Sequence, residues 1–345
     1  MPEIYTEEKF NKEIVTNYVD VIGQKLGGQV LSFLDEFFAP AANLIKSTPV
    51  VFDPTKFVHS GKWFDGWETR RHNTEEADWV IFKAGVSSAR IIGCEVDTAH
   101  FTGNAAPFIS VEGVRADDDS KVGPDSKWED IISKVECHPC LKHYFVRPCG
   151  LTKENYTHFR LRMYPDGGIA RFRIYGKVVP ILPKDPKTVI DLALVKNGGV
   201  AVKVSDQCFS SADNLLLPGR GEHMGDGWET KRSRGAGHVD WAMIKLGAVT
   251  KVQEVLVDTA HFRGNFPQKV NVKGYKAPEG IEASPDSLPP FDSDKWEVIV
   301  KDSKTGPHEE FKFKAEKEGP YSHVMLTMIP DGGVKRLRVF GTVAN

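Results

Sequence analysis

The chain repeats its own sequence, and this feature constrains the fold more than any other. A repeat unit of about 160 residues far exceeds the periods of solenoid proteins, so each copy is predicted to be a whole domain. Residues present in both copies mark positions retained while the two halves diverged. The recurring segments, in the same order in each half, are DGWETRR at Asp65–Arg71 and DGWETKR at Asp226–Arg232, VDTAHF at Val96–Phe101 and Val257–Phe262, and PDGG at Pro165–Gly168 and Pro330–Gly333.

Two domains joined by a stiff linker are therefore expected. The total of 345 residues is long enough for two cores. The segment Val179–Pro186 has three prolines in eight residues, which is typical of a stiff connection. We predict a first repeat over residues 1–180, a Pro-rich linker over 181–189 and a second repeat over 190–345.

The composition argues against several classes of protein. Lys and Arg number 45 and Asp and Glu 47, so the basic surplus typical of nucleic-acid binding is absent. No stretch approaches the roughly 20 apolar residues of a membrane span. The first residues do not form a signal peptide, and five cysteines do not suggest a disulfide framework. We expect a cytoplasmic protein that binds neither nucleic acid nor membrane.

Period-two alternation predicts an all-β chain of two tandem jelly-roll sandwiches. Ala170, Phe172 and Ile174 alternate with Arg171 and Arg173, directly after Pro-Asp-Gly-Gly. That tetrapeptide suits a tight hairpin turn between two strands. The four arginines of this strand in the two repeats could hold an anion, but a solvated strand face is the preferred interpretation. They are Arg171, Arg173, Arg336 and Arg338.

The Asp-Thr-Ala-His-Phe-x-Gly-Asn motif combines a strand end with a loop. The alternating inward-facing residues of one predicted strand end at Thr98. His100, and His261 at the matching position, are therefore expected on a loop at the edge of the sandwich. Imidazole titrates near neutral pH, so both histidines are candidate acid–base groups. The structural alternative is that Asp and Asn satisfy loop backbone while histidine packs. Retention of the motif in both repeats favours the functional interpretation.

The Gly-Trp-Glu-Thr motif supplies further candidates. Arg71 and Arg232 could hold a carboxylate bidentately, and Glu68 and Glu229 could act as bases. The alternative is a surface Glu–Arg pair beside a buried tryptophan. We assign the tryptophans to packing.

A metal centre is not predicted. Cys137, His138 and Cys140 resemble a ligand set, but the spacing fits no common zinc module and the second repeat has no such segment. Nucleotide-binding and serine-hydrolase motifs are missing from the sequence as well. No cofactor is firmly predicted, and a divalent metal stays open.

The paired motifs, with FFAPAANL at Phe37–Leu44, resemble those of the allantoicase family across essentially the whole chain. The resemblance implies tandem galactose-binding-like jelly rolls, a homo-oligomer, and hydrolysis of allantoate to ureidoglycolate and urea during purine degradation. Allantoate carries one carboxylate and two ureido arms, which suit guanidinium, amide and carboxylate partners.

Our hypothesis for the site assigns one set of roles to each repeat. The histidines shuttle protons, the glutamates act as bases, and the arginines hold the carboxylate. The aspartates orient the histidines, and the asparagines bind a ureido arm. The residues are His100, Glu68, Arg71, Asp97 and Asn104 in the first repeat, and His261, Glu229, Arg232, Asp258 and Asn265 in the second.

Two rival functions remain at this stage. The main alternative is a non-catalytic carbohydrate- or ligand-binding double jelly roll, because fold alone does not fix function. The second is a structural scaffold, which would present a large apolar patch and would not respond to a ureide.

Overall fold

The structure, a computed structural model, describes residues 1–278 and 285–344 and divides into two compact units, Met1–Val179 and Pro180–Asn345. Within the described residues, no helix is long and apolar enough to cross a membrane.

The regular secondary structure of the first unit consists mainly of antiparallel strands. Its helical segments are short: α1 (Glu7–Phe10), a π turn (Asn11–Val15), and 3₁₀ turns at Gln24–Leu26, Ala41–Ile45 and Asp119–Lys121. Its strands are β1 (Glu3–Ile4), β2 (Val19–Asp20), β3 (Gln29–Phe33), β4 (Phe57–Val58), β5 (Gly61–Lys62), β6 (Trp67–Glu68), β7 (Asp78–Lys83), β8 (Ala89–Asp97), β9 (Phe108–Val114), β10 (Glu129–Glu136), β11 (Lys142–Val146), β12 (His158–Tyr164), β13 (Gly168–Ile169) and β14 (Arg171–Val178).

Two five-stranded sheets form the sandwich of this unit. One has the order β1-β11-β8-β14-β2, and the other has the order β10-β9-β12-β7-β3. Alternate residues of each sheet point inward, and Phe82 of one sheet meets Phe172 of the other with ring centroids 5.7 Å apart. Phe10 of α1 packs against Tyr144 and Tyr175 on the outer side of the first sheet.

The second unit has the same layers, but one long strand joins them. Its 3₁₀ turns lie at Val195–Asn197, Ala212–Leu216, Met224–Asp226 and Pro285–Ser287. Its strands are β15 (Ile190–Asp191), β16 (Val200–Val204), β17 (Trp228–Glu229), β18 (Asp240–Asp258), β19 (Lys269–Tyr275), β20 (Glu297–Lys304), β21 (Glu310–Lys314), β22 (Tyr321–Ile329), β23 (Gly333–Val334) and β24 (Arg336–Val343). The first part of β18 pairs with β16 and β22, and the last part pairs with β21 and β24. The prediction of an all-β chain with two tandem jelly-roll sandwiches is confirmed.

The hairpin prediction for Pro-Asp-Gly-Gly is wrong. In the first unit β12 and β14, which flank Pro165–Gly168, belong to different sheets. Between them, β13 pairs with the Gly-Trp-Glu strand β6, and in the second unit β23 pairs with β17. The tetrapeptide therefore carries the chain from one layer to the other. Its first glycine does adopt a positive φ, 143° at Gly167 and 137° at Gly332.

The solvated-face prediction for the strand arginines is also wrong. Arg171 and Arg336 are buried, with exposed fractions of 4% and 3%. Arg171 donates to the carbonyl of Asp65 at 2.7 Å, and Arg336 donates to that of Asp226 at 2.5 Å. Alternation marked these side chains as facing away from the core, but the loop before β6 or β17 covers that face. The arginines serve as hydrogen-bond anchors for this loop.

Arg173 and Arg338, two residues further along the strand, anchor the same region. Arg173 donates to the carbonyls of Leu44 at 2.9 Å and of Lys46. Arg338 donates to the carbonyls of Leu217 and, at 3.1 Å, of Gly219. Both hold the chain that follows the 3₁₀ turns at Ala41–Ile45 and Ala212–Leu216. The loop carrying the Gly-Trp-Glu motif is thus fixed at both ends.

Candidate active site

The loop after β8 and after the last part of β18 directs one histidine outward in each repeat. Asp97 and Asp258 are buried, and each accepts a 2.8 Å hydrogen bond from the backbone amide two residues later. His100 and His261 follow with φ angles of 70° and 68°. Non-glycine residues rarely adopt this left-handed conformation, so the turn is held by its surroundings.

Each predicted glutamate meets the predicted asparagine of its own repeat. The Asn104 amide donates to the Glu68 carboxylate, and the Asn265 amide donates to that of Glu229. Burial raises the pKa of Glu68, whereas the Asn104 hydrogen bond and the Arg71 charge oppose that rise. A raised pKa suits a carboxyl group that exchanges protons near neutral pH.

Each predicted arginine reaches the same loop. Arg71 donates to the Gly103 carbonyl at 2.5 Å, and Arg232 donates to the Gly264 carbonyl at 3.2 Å. Both side chains are exposed, so their remaining N–H groups can bind an anion. The structure therefore gathers Glu, Asn and Arg around the loop that begins with the histidine.

The predicted role of the aspartates is not what their contacts indicate. Asp97 bonds the Ala99 backbone, so it shapes the turn rather than the imidazole. Asp258 accepts two hydrogen bonds from Arg220, at 2.9 and 2.8 Å, besides the Ala260 amide. Its carboxylate is 1% exposed and engaged on both oxygens, which leaves it little capacity for a substrate.

The tryptophans are packing residues, as predicted. Trp67 and Trp228 are fully buried. Each indole N–H donates to a backbone carbonyl in the preceding segment, Asp35 at 2.8 Å and Asp206 at 2.9 Å. These contacts fix the strand from which Glu68 and Glu229 project.

The surroundings of the two histidines differ. His100 stacks on Phe52, with ring centroids 4.8 Å apart and an angle of 17° between the planes. His261 instead lies beside His308, whose Nδ1 accepts the His261 backbone amide at 2.8 Å. Phe52 and His308 occupy segments that differ between the repeats, so a comparison of shared motifs could not identify them.

A cleft of about 350 Å³ lies on the other side of Arg71. Arg70, His72 and Asp78 also line it. Asp78 is 1% exposed and its Oδ2 has no hydrogen-bond partner, although Asn73 donates to Oδ1 at 2.6 Å. Burial raises the pKa of Asp78 to about 6. The motif comparison overlooked this aspartate, although Asp78-Trp79 recurs as Asp240-Trp241.

The part of the chain that the structure describes contains no group of three or more His, Cys, Asp or Glu side chains placed to hold a metal ion. Cys137 is buried, whereas Cys140 is exposed on the turn before β11.

Two tandem jelly-roll sandwiches, each with a Glu–Asn contact and an arginine bonded to the loop that follows the histidine, define a duplicated β-sandwich protein. The family model described as Allantoicase repeat matches residues 19–179 and 190–344. The chain therefore belongs to the allantoicase family.

Individual relatives agree with this assignment. An allantoicase of Saccharomyces cerevisiae is 55% identical over 341 residues, covering 97% of each chain. An allantoicase of Neurospora crassa is 48% identical over 338 residues, covering 96% of this chain and 94% of the relative. A crystal structure of the Saccharomyces cerevisiae allantoicase superposes with a TM-score of 0.79 at 50% identity, covering 99% of this chain and 100% of that one.

Proposed function

We propose that this chain is a hydrolase that cleaves allantoate to ureidoglycolate and urea in allantoin degradation. The observation that carries the proposal is the match to the allantoicase repeat over both halves of the chain. The site geometry supports it, because in each repeat an amide bonds a carboxyl group and a guanidinium bonds the loop that follows the histidine.

Substrate binding follows from the exposed polar groups. Arg71 and Arg232 hold the allantoate carboxylate, since a guanidinium matches a carboxylate bidentately. Asn104 and Asn265 present amide groups that pair with the N–H and C=O groups of a ureido arm. Their contacts with Glu68 and Glu229 keep these amides in a fixed orientation.

The reaction then needs one proton delivered and one removed. The nitrogen of the retained arm shares its electron pair with the central carbon while the bond to the leaving nitrogen breaks. The leaving nitrogen keeps the electrons of that bond and takes a proton from histidine, so urea departs neutral. Water adds to the resulting C=N bond and its π electrons return to the retained nitrogen. The proton lost by water passes to glutamate and then restores the histidine.

A double substitution tests the histidines. His100→Asn combined with His261→Asn removes both imidazoles, while Asn tolerates the positive φ at each position. We expect kcat/KM for urea release from allantoate to fall by about 100-fold or more, the usual range for loss of an acid–base group.

His72→Asn is the matched control, because His72 also has a positive φ, 65°, and is exposed. It should retain turnover within about twofold. Near-normal turnover by a folded double variant would eliminate the histidine role. Sugar binding without urea release from the wild-type chain would favour the carbohydrate-binding alternative.

A cytoplasmic homo-oligomer is part of the same proposal. Its support is the family assignment together with the low cysteine content. Light scattering on the eluting peak of a sizing column should give a mass of at least twice the 38.4 kDa of one chain, and a mass of one chain would contradict the oligomer.

A further inference from the structure

His308 and Cys140 occupy the same turn position in the two repeats. The His308 amide donates to the Thr259 carbonyl at 3.2 Å, and the Cys140 amide donates to the Thr98 carbonyl at 3.3 Å. Their φ angles are 56° and 57°. The threonines belong to the two histidine loops, so this turn lies directly beside each loop. At this position, only the second repeat has an imidazole.

Hydrogen bonds assign the tautomers of the two neighbouring imidazoles. Nδ1 of His308 accepts the His261 amide, so neutral His308 carries its proton on Nε2. Nε2 of His261 lies 3.4 Å from the Gly221 carbonyl, which makes it the donor and leaves Nδ1 to take up a proton. The pair thus offers one N–H donor and one proton acceptor.

The charges around His308 favour its neutral form. Burial lowers the pKa of His308, and Arg263, His261 and Arg220 lower it further, whereas Asp258 opposes them. Arg220 is exposed and bonded to Asp258. Arg263 stands where the first repeat has Thr102. Arg220 is paired with Asp258 and Glu310. Arg263 is therefore the guanidinium that this end of the second repeat presents beside a neutral imidazole, which suits an anionic ureide.

The corresponding place in the first repeat is built differently. There, 20 residues separate Leu44 from Asp65, against 10 between Leu215 and Asp226 in the second repeat. The longer loop contains β4 and β5, and its Phe52 covers one face of His100. Lys62 from the same loop lies over Phe52, with Nζ 4.8 Å from the ring centroid.

We propose that the second repeat carries the hydrolytic step, and that His308 is a catalytic residue which donates from Nε2 to the carbonyl oxygen of the leaving ureido arm. This inference rests on the function proposed above. His308 transfers no proton. Its hydrogen bond stabilises negative charge on the leaving arm while the C–N bond breaks and the imidazolium form of His261 gives its Nδ1 proton to the leaving nitrogen.

The test compares His308→Asn with the position-matched control Cys140→Asn in the full-length chain. Asn suits the left-handed φ at both positions, and its Oδ1 can still accept the His261 amide. We expect His308→Asn to lower kcat for urea release by about 100-fold with little change in KM, as for loss of one oxyanion donor. Cys140→Asn should stay within about twofold of wild type.

The pH profile separates chemistry from a structural role. Protonation of His308 at Nδ1 would break its bond to the His261 amide, so wild-type kcat/KM should fall in acid. This acid limb should shift in His308→Asn and remain in Cys140→Asn. If His308→Asn misfolds, His308→Gly against Cys140→Gly gives the answer, because glycine also accepts the positive φ at both positions. A loss of about 100-fold is expected for His308→Gly and less than about twofold for Cys140→Gly.

Two contrary outcomes are distinguishable. Equal activity of the His308 and Cys140 variants would overturn this inference while leaving the proposed hydrolysis intact. No urea release from folded wild-type protein would instead refute the proposed function on which it rests.

Discussion

Positive backbone φ angles at residues other than glycine concentrate around the two candidate sites. Within residues 1–278 and 285–344, the non-glycine residues with positive φ are four histidines and one cysteine. Four of the five lie on the histidine loops or the adjoining turns. Such conformations persist only where neighbouring contacts impose them, and they are frequent at functional sites. The five non-glycine residues with positive φ are His72, His100, Cys140, His261 and His308.

Asp78 gives a prediction at the residue scale. Burial raises its pKa to about 6, above the unfolded value near 4, so its ionisation opposes folding as pH rises from about 4 to 6. Asp78→Asn removes this penalty. We expect the free energy of unfolding of the variant, relative to wild type, to increase by about 2 kcal/mol between pH 4.5 and 7.

Unfolding in guanidinium chloride at pH 4.5 and pH 7 measures the free energies of unfolding of the variant and the wild type. The control is Asp117→Asn, an exposed aspartate whose replacement should leave the pH dependence unchanged. A constant difference between Asp78→Asn and wild type at both pH values would show that the carboxyl group is not perturbed.

Sequence comparison between the repeats located the site residues that recur and missed those that do not. Glu68, Asn104 and Arg71 were identified because each has a counterpart, and the structure brings them together. Arg220 and His308 were missed because they lie where the repeats differ in length or composition. The left-handed turn that makes His308 equivalent to Cys140 is a backbone property that the sequence does not display.

At the scale of elements, the strand after Pro-Asp-Gly-Gly is the clearest departure from sequence periodicity. Alternation identified its inward side chains, such as Phe172 and Leu337, which are fully buried. It could not show that a loop covers the opposite face. Buried arginines bonded to carbonyls carry the same period-two signature as solvated ones, so only the tertiary structure separates the two cases.

Arg336 provides the prediction at this scale. It donates to the carbonyls of Gly219, Asn214 and Asp226, at 3.1, 3.0 and 2.5 Å. Burial lowers its pKa to about 10, so it stays charged at neutral pH. Arg336→Ala leaves those carbonyls unsatisfied, and we expect the free energy of unfolding to fall by about 3–5 kcal/mol.

Thermal unfolding of three variants measures this effect. Arg336→Lys should give an intermediate loss, because an ammonium group cannot reproduce the planar set of donors. Arg234→Ala, at an exposed arginine, should change stability by less than about 0.5 kcal/mol. A loss for Arg336→Ala no larger than that for Arg234→Ala would show that the anchor is dispensable.

At the scale of the whole molecule, duplication produced two sandwiches with the same loop architecture and different surroundings. The shared residues build the Glu–Asn contact and the arginine contact in both repeats. Divergence added an aromatic cover to His100 and a second imidazole beside His261. Self-similarity predicted the two sandwiches, whereas this asymmetry arises from loops that share no motif.

The most direct test of the proposed function is the product balance of the wild-type reaction. Purified full-length protein should release one urea for each allantoate consumed and leave ureidoglycolate, because only one C–N bond at the central carbon is cleaved. Release of ammonia in place of urea would indicate attack on a ureido carbonyl and contradict the proposed bond cleavage. No consumption of allantoate by folded protein would contradict the account as a whole.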